Sequence, residues 1–175
     1  MTVVINGSAG VTTTVGAIYN GIQSGTAQAS TSGTSIDFTS IPSWVKRITV
    51  MFAGVSTSGT SVNQIQLGAG SVTTSGYLSN YSAWANATAP SANLLTTGFG
   101  ILTDAATNIK HGSLTLTNLS SNIWVCSGVL AFSEKAVQLT TAGSITLGGT
   151  LDRVRITTVN GTDTFDAGSI NILYE

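Results

Sequence analysis

The chain has 175 residues, one ordinary domain with a short extra arm, of which 42% are hydrophobic and only 7% charged, against about a quarter charged in an average soluble protein. The formal net charge of −1 leaves no electrostatic footprint for nucleic acid, and the one cysteine, Cys126, excludes a disulfide framework within the chain and a cysteine-built metal centre. No apolar run nears the ~20 residues that a membrane helix needs, and so little charge leaves little repulsion between copies, the composition of a chain made to be packed into something.

The opening "MTVVINGSAG" has neither a positive start nor a long apolar run, so it is not read as a secretory signal, and synthesis and assembly in a cytoplasm are expected. Residues 1–30 read as an N-terminal arm, with a short candidate strand at 2–6 and then Ile18, Tyr19 and Ile22 among small residues. That segment either orders against a partner or supplies an extra edge strand and a loop. Residues 31–175 read as one β domain. Ser35–Thr39 is a short strand. Val45–Val55 is a strong one, with Ile48, Val50 and Phe52 on one face and Arg47, Thr49, Met51 and Ala53 on the other. The hexapeptide "STSGTS" punctuates the chain at 30–35 and again at 56–61.

Val62–Leu67, Leu94–Leu102 and Gly112–Leu119 follow as strands, the last with Leu114 and Leu116 alternating with hydroxyl residues. Asn122–Phe132 is apolar on both faces, Ile123, Val125 and Val129 on one and Trp124, Cys126, Leu130 and Phe132 on the other. Such a strand needs two covers. Either a neighbouring subunit meets Trp124, Cys126, Leu130 and Phe132 in a homo-oligomer, or the strand is central and lies under a long loop. "SITLGGTLDRVRITTVNGTDTF" reads strand, Gly148-Gly149 turn, strand, Asn160-Gly161 turn, strand, with the positive φ of tight hairpins expected at both turns. "GSINILYE" closes the chain as a last strand. Helix periodicity is nearly absent. Many short strands with glycine-rich turns predict an all-β antiparallel β-sandwich, jelly-roll-like, behind a short arm.

No residue pattern marks catalysis. The single histidine, His111, lacks a nucleophile elbow, and the acids form no recognisable pair; Asp163 and Asp166 read as turn residues. No calcium loop, metal cluster, phosphate-cradling loop or cofactor motif occurs. Arg153 and Arg155 share one strand face, for an acidic glycan, a neighbouring subunit or solvent. Tyr77, Tyr81 and Trp84 stand in a stretch rich in Ser, Asn and Ala, "GYLSNYSAWANATAP", read as a polar loop. Aromatics there either bind a sugar or a partner or plug the end of the sandwich. The sequons at Asn6, Asn80, Asn86, Asn118 and Asn160 follow from the composition alone.

Two stretches, "SGTSIDFTSIPSWVKRITVMFAGVSTSGTS" (32–61) and "GGTLDRVRITTVNGTDTFDAGSINILYE" (148–175), resemble the β-rich C-terminal domains of tail-fibre-like and other surface proteins of bacteriophages and prophages. The terminal "DAGSINILYE" is the most specific piece. The resemblance implies a non-enzymatic virion protein, homotrimeric, without cofactor, displayed on the particle surface. Its partners would be other capsid or tail proteins and, in an attachment role, a host-surface glycan; neither nucleic acid nor membrane insertion is implied. The alternative role is capsid decoration. The shared motifs are structural and carry over no catalytic residue.

Overall fold

A computed structural model describes residues 3–6, 10–13, 16–18, 21–85 and 91–175; Tyr19 and the sequon residue Asn86 lie outside the described residues. Every regular element described is a strand. β1 (Val3–Asn6), β2 (Gly10–Thr13) and β3 (Gly16–Ile18) form an antiparallel meander of their own. Then come β4 (Gln23–Ser24), β5 (Gln28–Ala29), β6 (Ser35–Thr39), β7 (Arg47–Thr57), β8 (Asn63–Ala69), β9 (Ser71–Val72), β10 (Leu78–Ala85), β11 (Ser91–Leu95) and β12 (Phe99–Ile101). β13 (Lys110–Ser120), β14 (Ile123–Phe132), β15 (Val137–Thr146), β16 (Arg153–Thr158) and β17 (Phe165–Tyr174) complete the chain.

These strands build an antiparallel sandwich. The large sheet has the order β11-β10-β15-β14-β13-β7-β17-β4, with β5 also on β17; the small sheet has the order β12-β8-β16-β6, with β9 on β8. Alternation decides what faces inward. From the large sheet come Ile48, Val50, Phe52, Leu114, Leu116, Leu139, Ile170 and Ile172; from the small sheet Ile36, Phe38, Ile65, Leu67, Val154 and Ile156. Each such side chain contributes about 1.5–3 kcal/mol by leaving water, and the β-branched Ile and Val among them suit a pleated surface.

Several expectations are corrected. Trp124, Cys126, Leu130 and Phe132 do not wait for a neighbouring subunit. They are buried within the single chain, filled over by the small sheet. The face of β14 left open is the other one, Ile123, Val125 and Val129, with Val129 51% exposed. Most of the stretch read as a loop is strand β10, Leu78–Ala85, with Tyr77 just before it: Ser79 and Tyr81 point in while Leu78, Asn80 and Trp84 point out. Hydroxyl and amide residues had masked that alternation. The strand expected over 94–102 breaks at 96–98, where the chain leaves the large sheet for the small one.

The two glycine turns join no hairpin. β15 and β17 belong to the large sheet and β16 between them to the small one, so both connections arch across the sandwich. Gly161 does take positive φ (68°), whereas Gly148 and Gly149 do not. Residues assigned to the arm up to Ser30 enter the sandwich: β4 and β5 line the edge of β17, and buried Ser30 donates to the Ala167 carbonyl at 2.8 Å.

Candidate interaction surfaces

The three aromatics singled out in the sequence do not meet as one site. Tyr77 is fully buried, edge-on to Phe99 at 5.1 Å and 89°. β12 ends before it reaches Leu67, and the Tyr77 hydroxyl takes over as strand partner, accepting from Leu67 N–H at 2.7 Å and donating to the Thr73 carbonyl at 3.1 Å. Burial pushes its pKa up to about 12, partly offset by the Leu67 bond. Tyr81 is also buried and lies flat on Gly100, where an added Cβ would meet its ring at 2.3 Å. Tyr77 and Tyr81 therefore plug the sandwich. Trp84 alone of the three is on the surface, 56% exposed.

Trp84 belongs to a wider surface, the outer face of the large sheet. Register places the outward side chains in rows, Leu94–Asn80–Ala142–Ser127 and Ala92–Ser82–Thr140–Val129, with Leu78–Ser144–Val125 and Trp84–Gln138–Ala131 beside them. From β11 to β14 no outward position is ionisable. Leu78 and Leu94 are 75% and 80% exposed and rim an apolar dimple of about 420 Å³ floored by Ala142 and Gly143. Ser82 and Thr140 share a hydrogen bond at 2.6 Å, so these hydroxyls already satisfy each other. Burying such a face releases apolar surface and desolvates no charge.

The outer face of the small sheet is built differently. Its rows are Gln66–Arg155–Asp37 and Gln64–Thr157–Ser35. Arg155 and Arg153 do share that face, but each is already engaged. Arg155 holds Asp37 with two bonds at 2.7 and 3.1 Å, and Arg153 grips Asp152 in the same way. The Arg153 guanidinium and the Gly70 N–H hold the Asp152 carboxyl below its usual range.

The seven carboxylates are all committed to structure. Lys135 pairs with Asp104 at 2.6 Å and lowers its pKa, Arg47 pairs with Glu175, and Ser56 bonds Asp166. Asp163 accepts from Ser61 N–H and the Asn160 amide, which ties the second "STSGTS" copy to the turn after β16. Glu134 accepts from Ile109 N–H and from Asn108, contacts that outweigh its desolvation and lower its pKa. Among the described residues no three His, Cys, Asp or Glu side chains gather where they could hold a metal ion. His111 stands on the outer face at the start of β13, opposite Ala53.

One group was missed by sequence reasoning. Lys110 is the first residue of β13 and points inward, fully buried, its Nζ 5.8 Å from the Phe132 ring centre and without a hydrogen-bond partner among the described residues. Burial pulls its pKa down to about 8, against the pull of Glu134, Asp104 and Asp166. The signal was the period: Lys110 is in phase with Leu114 and Leu116.

No family model, curated protein or solved structure matches this chain.

Proposed function

We propose that this chain is a non-enzymatic structural protein of a bacteriophage virion, a homotrimeric surface module serving host attachment. The single observation carrying the assembly part is the outer face of β11, β10, β15 and β14. It is free of charge and holds four large apolar side chains, Leu78, Trp84, Leu94 and Val129, all more than half exposed. Scattered exposed apolar residues need no explanation, but a contiguous uncharged sheet face of this kind fits a protein interface. An identical copy is a suitable occupant, because nothing on that face repels it. The virion location and the trimer rest on the resemblance of residues 32–61 and 148–175. Attachment would then use the surfaces that assembly leaves free, with several weak sites adding up by avidity.

Antibody-gold labelling of intact particles tests this reading. Label at the tail tip supports attachment. Label spread over the head makes the chain a decoration protein, and no label on particles overturns the virion assignment.

A further inference from the structure

The small sheet carries a second, chemically distinct feature. The turn at 96–98 and the segment after β16 stand over its outer face and leave a hollow of about 340 Å³ above Gln64, Gln66, Arg155 and Thr157. That is the size of a small ligand pocket, which starts at about 300 Å³. Its floor is fixed before any ligand arrives. Thr97 Oγ1 donates to Gln64 Oε1 at 2.8 Å, Gln66 Nε2 donates to the Thr97 carbonyl at 2.9 Å, and Thr157 Oγ1 donates to the Thr34 carbonyl at 2.8 Å. Gly98 presses so close that a Cβ there would meet Gln64 Oε1 at 2.6 Å.

These bonds use only part of each group's capacity. Gln66 Oε1 and Arg155 Nη1 have no partner among the described residues, while Arg155 Nε and Nη2 are held by Asp37. The hollow thus offers an acceptor and a donor at fixed positions, beside the Val159 side chain and threonine methyls. Arg155 is its one charged lining residue, and Asp37 already neutralises it, so a strongly anionic ligand gains little. A purely apolar ligand would leave the amides unpaired.

We propose that this hollow binds a neutral sugar unit, whose adjacent hydroxyls both donate and accept and whose ring carries a compact C–H face. The proposal deepens the attachment reading and rests on it for its biological sense, since it places receptor contact on the small sheet and assembly on the large one.

The test is nuclear magnetic resonance of the isotope-labelled full chain, following the side-chain amide signals of Gln64 and Gln66. Neutral hexoses and N-acetylhexosamines are titrated singly into the millimolar range. The expected result is a saturable shift of both amides with at least one of these sugars, weakened at least about tenfold in Gln66→Leu, which loses an amide at similar volume. Thr97→Val, which releases Gln64 from its prop, is expected to weaken it as well and serves if Gln66→Leu does not fold. Silence of both amides across the panel, or saturable shifts confined to the surroundings of Trp84, would overturn the proposal. Sugar binding here by a chain that particles do not carry would defeat the attachment reading and leave this one standing.

Discussion

The two outer faces of this sandwich solve opposite problems with the same strand geometry. On the large sheet, outward positions from β11 to β14 are Leu, Ile, Trp, Val, Ala, Ser, Thr, Asn and Gln, and Ser82 and Thr140 pair their hydroxyls. On the small sheet, outward positions are Gln, Arg, Asp, Ser and Thr, braced by ion pairs and by turns that fold over them. The first face loses nothing by meeting another surface broadly. The second has a fixed, cratered chemistry suited to one small polar ligand. The difference teaches that in a chain only 7% charged, the exposed charges are kept off the face offered to another surface.

The largest expected effect breaks the first face. Leu78→Asp with Leu94→Asp puts two carboxylates into the proposed interface, and the oligomer should fall to monomer by light scattering while the β circular dichroism stays unchanged. An unchanged oligomer would make the two faces equivalent.

Lys110→Met separates folding from association. In the folded chain burial lowers the pKa of this lysine from the ordinary 10.5 to about 8, so at pH 7 its burial costs about 3 kcal/mol. The unfolded chain binds the extra proton between those values, so this contribution makes stability rise with pH from about 8 to 10.5. Tyr77 and Cys126 act in the other direction. Burial raises both to about 12, from 10.0 and 9.0, so their contributions are complete below those lower values and fall away as pH climbs towards 12. Urea unfolding across pH should therefore show the variant more stable than wild type at pH 7, with the gap closing by pH 10, and with the oligomer unaffected. A constant gap would mean that Lys110 is not held neutral by burial.

Tyr77→Phe tests the brace between the sheets. It leaves the buried Leu67 N–H without its 2.7 Å partner, and a loss of about 1–3 kcal/mol is expected in the same urea titration. The smallest effect belongs to Trp84→Ala, which should change monomer stability by less than about 0.5 kcal/mol yet weaken association in sedimentation. If association is indifferent to it, the interface stops short of the end of β10.

Much of this architecture was legible. Ile48, Val50 and Phe52 alternate with Arg47, Thr49, Met51 and Ala53, and Leu114 and Leu116 alternate with hydroxyl residues; a two-residue period of this kind has few other meanings. The glycine turns around β16 were visible as turns but not as arches, because a turn residue does not record which sheet receives the next strand. β10 was hidden because Ser79, an inward residue, is polar and pairs its hydroxyl with Gly100 N–H. The same blindness applied to the candidate sites. Composition drew attention to aromatics, and two of the three belong to the core. The hollow over Gln64 and Gln66 comes from a turn near residue 97 and from residues around 157, a proximity that sequence spacing does not show.

The most direct test of the central claim, that the outer face of the large sheet is an assembly surface, is the solution mass of the wild-type chain by light scattering over a range of concentrations. The account predicts a species of three times 17.8 kDa that persists on dilution. A single-chain mass of 17.8 kDa at every concentration would contradict it.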